Sequence, residues 1–315
     1  MGTFIGRRVA AMVPLLVLIT LGVYALVLLI PGDPARTLAG GLHAQPSEIA
    51  RVRHQLHLDE PFFAQYWRWV THAVRGDLGV SLFEHESVAS AISSRFPLTL
   101  SLALGGLVVS ILIGLPVGVL AGTRPGTVAD RSATVASSAG IAVPDFWLAI
   151  LLAVVFAVKL HLLPDLGYVG LTKSPWGWFE HLLLPWVALG VAGGATLARQ
   201  VRGELIDVLD QDYIRTARSV GVPERQVIGR LALKNALTPA MTIIGIQFAY
   251  LLGGTVIIEQ IFSIPGLGSL MLQAIDTKDL PVIQGVVLLT AVIFVVVNLL
   301  VDIGYGLLNP KVRVS

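Results

Sequence analysis

Residues 199–239 read RQVRGELIDVLDQDYIRTARSVGVPERQVIGRLALKNALTP, and this stretch decides what kind of molecule the chain is. Seven Lys and Arg lie between Arg199 and Lys234, whereas the runs on either side, 181–198 and 235–258, carry no Lys, Arg, Asp or Glu. A segment of about forty residues is too long for a turn, and this one is too patterned for a linker. The composition of 211–220 suits a helix, and Gly221 is placed to end it. Pro223 and Glu224 open a second helix with Val227, Ile228 and Leu231 on one face, and Pro239 begins the return to apolar sequence. A short polar helix strung between two membrane spans can act as a lever, passing force on its exposed face to both spans as rigid-body tilt. From the residues alone it equally fits an amphipathic loop resting on lipid headgroups.

The rest of the chain repeats this alternation. Of 315 residues, 55% are hydrophobic and 13% charged, about half the charge of an average soluble protein. Charge-free stretches long enough to cross a bilayer as a helix occur at 9–32, 96–123, 132–158 (broken only by Asp145), 181–198, 235–258 and 280–301, the last continuing weakly to residue 310. These six spans make an all-α polytopic membrane protein, with lipid as its surroundings. Arg7, Arg8, Arg124, Arg131, the seven cations of 199–238, Lys311 and Arg313 fall on one side, against Lys159, Lys173 and Lys278 on the other. The richer side is cytoplasmic, which puts residues 1–8, the loop 199–238 and the tail 311–315 inside and the segment 31–95 outside. Segment 96–310 is then a five-span core. Lys and Arg punctuate apolar runs instead of clustering on a soluble face, so nucleic acid is not an expected partner.

The external segment has its own pattern. Ser47 can cap a helix with Ile49, Val52 and Leu56 on one face. A second begins near Asp59 and Pro61, carries Phe62, Phe63, Tyr66, Trp67, Trp69 and Val70, and stops at Gly76. Its aromatic face could grip a partner protein, or lie on the bilayer or on the protein's own spans. Five of the seven His are here (His43, His54, His57, His72, His85), without the carboxylate or third ligand a metal site needs, and no metal site is expected. Gly114-x3-Gly118-x3-Gly122 and Gly190-x3-Gly194 permit close helix approach, within the chain or between subunits. Pro116 and Pro144 are expected to kink their spans. Asp145 is the one formal charge in the middle of a span; it borders a translocation pathway or caps the half-helix freed by Pro144. Gln247 and Asn298, mid-span in the fifth and sixth runs, carry the pathway argument more weakly.

Enzymatic chemistry is not written in the chain. There is no Cys, no His-Glu-x2-His, no Gly-x-Ser-x-Gly, and no Gly-Lys pair with which to build a phosphate loop. A secondary transporter or channel acting without an ATPase is the competing class. It predicts internal repeats, paired intramembrane charges or a filter-like loop, and the sequence offers one lone Asp.

The blocks of sequence carry a resemblance. Arg215-Thr216-Ala217-x3-Gly221, followed by Arg230-Leu-Ala-Leu-Lys-Asn-Ala-Leu-Thr-Pro239, resembles the cytoplasmic loop of ATP-binding-cassette importer permeases, most closely the dipeptide and oligopeptide subclass with Arg-Thr-Ala in place of Glu-Ala-Ala. Lys234 stands where most such permeases have proline, a departure the subclass shares. Arg7-Arg8 leading to Pro31-Gly-Asp-Pro-Ala35, Asp59-Glu-Pro with Gln65-Tyr-Trp-Arg-Trp69 and Arg75-Gly-Asp-Leu-Gly79, Gln211-Asp-Tyr213, Phe262-Ser-Ile-Pro-Gly-Leu-Gly268 and Pro281-Val-Ile-Gln-Gly285 follow in the order of its B-type subunits. The resemblance implies a type I importer permease in a bacterial cytoplasmic membrane. It also implies three kinds of partner: a second related permease, two cytoplasmic ATPase domains that bind ATP and Mg, and an external substrate-binding protein. Tyr213, Arg215, Thr216, Ala217, Arg218 and Gly221 become the residues that couple to the ATPase, with Ala217 as the small contact residue. The cargo implied is a di- or oligopeptide, with nickel chelates, glutathione or haem as alternatives on the same architecture.

Overall fold

The computed structural model describes residues 2–29, 35, 36, 39, 44–55 and 58–308, and its regular structure is helical apart from one isolated antiparallel bridge between Val80 and Ser87. In chain order the helices are α1 (Gly2–Leu29), α2 (Pro46–Gln55), α3 (Phe62–Val74), α4 (Val88–Gly122), α5 (Val128–Ala142) and α6 (Asp145–Leu152, continuing as a π-helix over Ala153–Lys159). They are followed by α7 (Pro175–Leu209), α8 (Asp212–Ser219), α9 (Glu224–Gly254, with a π-helical turn at Val227–Ala232), α10 (Val256–Ile261), α11 (Leu267–Thr277) and α12 (Leu280–Leu308).

Among the described residues, Val88–Gly122, Pro175–Leu209, Glu224–Gly254 and Leu280–Val301 are each long and apolar enough to cross a bilayer. The first expected span falls in α1, where Met12–Ala25 forms a shorter apolar helix; the end of that run, 30–32, lies outside the described residues. Helix α7 starts where Ser174 accepts the Gly177 N–H and Pro175 takes the first turn, so it runs 35 residues and overshoots the expected 181–198 at both ends. The fifth run, expected to reach Ile258 as one helix, stops at Gly254 after a glycine pair and restarts as α10.

The third run departs most from expectation. A kinked span was expected over 132–158; instead α5 and α6 meet at 96°. Val143 and Pro144 are both extended (ψ 121° and 136°). Proline removes the N–H that would continue the ladder, and its ring drives the preceding residue out of the helical region. With no neighbouring turn to bridge the gap, the helix breaks instead of bending.

The chain forms two compact units. In the first, whose described residues are 2–5, 97–269 and 294–308, α7 is the central helix and packs against α5, α6 and α9. The expected glycine ladder is internal packing. A Cβ at Gly114 would lie 2.6 Å from the Gly194 carbonyl and one at Gly118 would lie 2.7 Å from that of Ala198, so only glycine lets α4 and α7 approach this closely. In the second unit, residues 6–96 with 270–293, α3 packs on the protein's own first helix. Tyr24 of α1 meets the rings of Phe62, Tyr66 and Trp69 at 5.4–5.9 Å, and its hydroxyl donates to Gln65 Oε1 at 3.0 Å. The blocks 75–79 and 281–285 meet here: Gly79 faces Pro281, and a Cβ on Gly285 would strike Val88. Buried Asp279 receives the Ser81 hydroxyl and the Leu82 N–H.

Candidate functional site

Three features of the first unit are candidates: a cavity, the module formed by the loop 199–238, and a buried carboxylate. The cavity, about 560 Å³, is walled by α5, α6, α7, α9 and α10. Its lining is mostly aliphatic, with Asp145, Gln247, Thr196 and Tyr250 as polar groups. The break at Pro144 creates the position of Asp145, which becomes the first residue of α6 and opens toward the cavity. There it sits in the positive end of the α6 dipole, which favours a carboxylate. Its carboxylate makes no hydrogen bond or ion pair among the described residues. The amide of Gln247 lies over Gly193, where any Cβ would overlap it, and its Oε1 accepts the Ser110 hydroxyl at 3.1 Å. Two of the three pathway candidates therefore line one cavity. Asn298 does not join them; its side-chain NH2 donates to Phe294 O one turn back at 3.0 Å.

The loop folds as expected in outline. Helix α8 occupies Asp212–Ser219 with Gln211 and Val220 flanking it, and Gly221 has φ +82°, a value that only glycine adopts freely. Ile214, Leu205 of α7, and Val227, Ala232 and Ala236 of α9 form a buried apolar cluster. Helix α8 is thus packed against the ends of the two helices that carry Gly193 and Gln247. Ala217 packs against this same cluster, so its smallness serves the chain's own interior as well as any outer contact. The outward face holds Tyr213, Arg215, Thr216, Arg218, Ser219 and Val220. Arg218 donates twice to the Glu224 carboxylate (3.1 and 2.6 Å) and thereby pushes that carboxyl below its usual range. Arg215 is tied to Asp210 (2.6 Å), while Tyr213 accepts from Asn235 (2.9 Å).

Two polar devices were not foreseen. Glu259 is completely buried; its Oε1 accepts from Thr99 (2.8 Å) and Thr255 (3.0 Å), and its Oε2 from the Ser269 N–H (2.9 Å). A Cβ on Gly266 would fall on this carboxylate, and one on Gly268 would come within 2.6 Å of Val256 Cα. The sequence signal was present in these two glycines, each of which leaves room for something. The second device lies beyond the apolar runs, at the loop end, where Asp130 is bound by Arg202 Nε and Nη2 and by the Gly126 N–H. Those bonds, Arg202 first, hold the Asp130 carboxyl down at about 2. In the other unit His54 pairs with Asp59 (2.9 Å), which raises its pKa, whereas His43 and His57 lie outside the described residues.

Comparison with known proteins resolves the class. Residues 114–314 match the family described as binding-protein-dependent transport system inner membrane component, and residues 1–103 match the N-terminal domain that accompanies it. The chain belongs to that family. It is a multi-pass membrane permease subunit of an ATP-binding-cassette importer. Over 313 residues it is 42% identical to a Brucella abortus (strain 2308) protein whose name assigns it provisionally to a peptide transport system as permease, covering 99% of each chain. The glutathione transport system permease protein GsiC of Salmonella paratyphi A is 39% identical over 310 residues, 98% of each. The methionine transporter MetNI in an inward-facing conformation shares the fold, with a TM-score of 0.51 at 19% identity over 67% of this chain and 93% of that one. Membership of an ATP-binding-cassette importer family sets aside the channel and secondary-transporter class.

Proposed function

We propose that this permease works as one of two related membrane subunits, driven by two cytoplasmic ATPase domains that bind ATP and Mg, and that it passes peptides delivered by an external binding protein. The observation that carries the peptide assignment is the 42% identity over nearly the whole length to a relative named for peptide transport. The 39% identity to glutathione permeases supports glutathione, itself a tripeptide, as the second reading. In a reconstituted complex, dialanine should stimulate ATP hydrolysis and enter vesicles; uptake of glutathione alone would select the second reading.

Coupling follows from the loop. ATPase movement against the outward face of α8 displaces the cluster around Ile214, and with it the ends of α7 and α9. Because those two helices carry Gly193 and Gln247, the cavity changes shape when the loop moves. Both termini and 199–238 are cytoplasmic in this proposal, and 31–95 faces outward, at a bacterial cytoplasmic membrane. Cysteine labelling tests the orientation, since the chain has no native Cys. Glu86 and Gln226 are both exposed; in intact cells an impermeant thiol reagent should modify Glu86→Cys and spare Gln226→Cys. The reverse pattern would overturn the orientation.

A further inference from the structure

We propose that the cavity beside Pro144 is a binding subsite for a protonated amine, and that in the proposed peptide importer it receives the cargo's N-terminal ammonium group. The second clause rests on the peptide assignment; the first does not.

The charge balance of the cavity carries the argument. Among the described residues, Asp145 is the only ionisable side chain on its wall apart from the phenol of Tyr250, and no Lys, Arg or His lines it. Thr196 donates its hydroxyl to Ala192 O (3.0 Å), and Gln247 Oε1 takes the Ser110 hydroxyl. Neither bond involves Asp145, whose carboxylate makes no hydrogen bond or ion pair among the described residues. The dipole of α6 favours the carboxylate but supplies no counter-charge to it in the apolar chamber. A carboxylate with aliphatic walls and no counter-charge is a costly arrangement that a ligand cation relieves.

The kind of cation also follows. A divalent metal needs several oxygen ligands, and a single carboxylate with one occupied amide does not supply them. An alkylammonium needs one carboxylate, a few acceptors and apolar or aromatic surface for its stem. Phe146 and Tyr250, 46% and 68% exposed, provide ring faces on the same wall. A carboxylate ligand would meet repulsion from Asp145 and no cation. The cavity therefore distinguishes the amino end of a zwitterion from its acidic end.

The test uses the complete importer in vesicles, with Ile246→Cys as reporter. Ile246 lines the cavity, is 59% exposed, and would be the sole thiol in this chain. Modification by a cationic (trimethylammonium-ethyl) and an anionic (sulfonato-ethyl) methanethiosulfonate is followed on this chain by mass spectrometry. The cation-to-anion rate ratio should drop about tenfold when Asp145→Asn is added, the order expected for one charge on the same cavity wall acting through a water-like dielectric. A ratio that does not change overturns the subsite. Propylammonium should slow the modification in the Asp145 background and not in Asp145→Asn; absence of protection also overturns it. Dialanine should protect where N-acetyl-dialanine does not. Protection by propylammonium without protection by dialanine keeps the amine subsite and removes its assignment to the peptide terminus. Uptake of dialanine is measured in parallel and reports on the peptide-importer reading by itself.

Discussion

Glu259 shows how a single side chain can specify the path of the backbone around it. Three donors close on its two oxygens, and the turn 263–268 wraps it so tightly that Gly266 and Gly268 have no room for a methyl group. Replacement by leucine would leave the hydroxyls of Thr99 and Thr255 and the Ser269 N–H without their acceptor, at about 1–3 kcal/mol for each buried orphan. Glu259→Leu should therefore lower stability by about 3 kcal/mol, read as a fall in the thermal midpoint of the purified protein, while Glu259→Gln should lose less because it keeps an acceptor and the shape. Equal losses would show that the carboxylate's bonds are not what holds the turn. In sequence this residue looks like an ordinary charge at the end of an apolar run, because only Thr255 among its donors is a near neighbour; the other two lie 160 residues upstream and 10 residues downstream. Gln247 and Asn298 illustrate the same limit. Both are mid-span amides, but whether an amide faces a cavity or its own helix depends on what packs beside it. Gly193 leaves space for Gln247, whereas Asn298 is satisfied one turn back.

At the scale of elements, local chemistry was legible and long-range consequences were not. The bounds of α8, its flanking Gly221 and the helical start after Pro223 follow from turn and capping rules that act within a few residues. That Ala217 faces inward became visible only with Leu205 and Ala236 in place around it. Likewise Pro144 announced a perturbation but not its size: the 96° turn depends on both Val143 and Pro144 being extended. The Asp130–Arg202 pair is a joint between α5 and α7 of this non-local sort. Its carboxyl is lowered in the folded protein to about 2, so the stabilisation it gives is fully present above the ordinary carboxylate value of about 4 and is lost as pH falls through the folded one. Asp130→Asn should lower the thermal midpoint at neutral pH, and the gap from the parent protein should narrow below about pH 4. A gap that stays constant through that range, down to about pH 2, would mean the ionised pair is not what Asp130 contributes.

For the whole molecule, the all-helical membrane class and the apolar runs are legible because a bilayer demands long, charge-poor helices whatever their neighbours. The arrangement of those helices is not, since it depends on contacts such as Gly114 against Gly194 that composition does not rank. The account's central claim is that the outward face of α8 is where an ATPase acts and that the cluster beneath it relays the motion. Val220 is the most direct reporter of that face, being 74% exposed, apolar and outside the cluster. In vesicles containing the assembled importer, Val220→Cys should be joined to the ATPase subunit by a short bifunctional thiol reagent, and Glu86→Cys should not. An intact, peptide-stimulated complex in which Val220→Cys yields no such adduct, although the ATPase presents reactive thiols on its membrane-facing surface, would contradict the account.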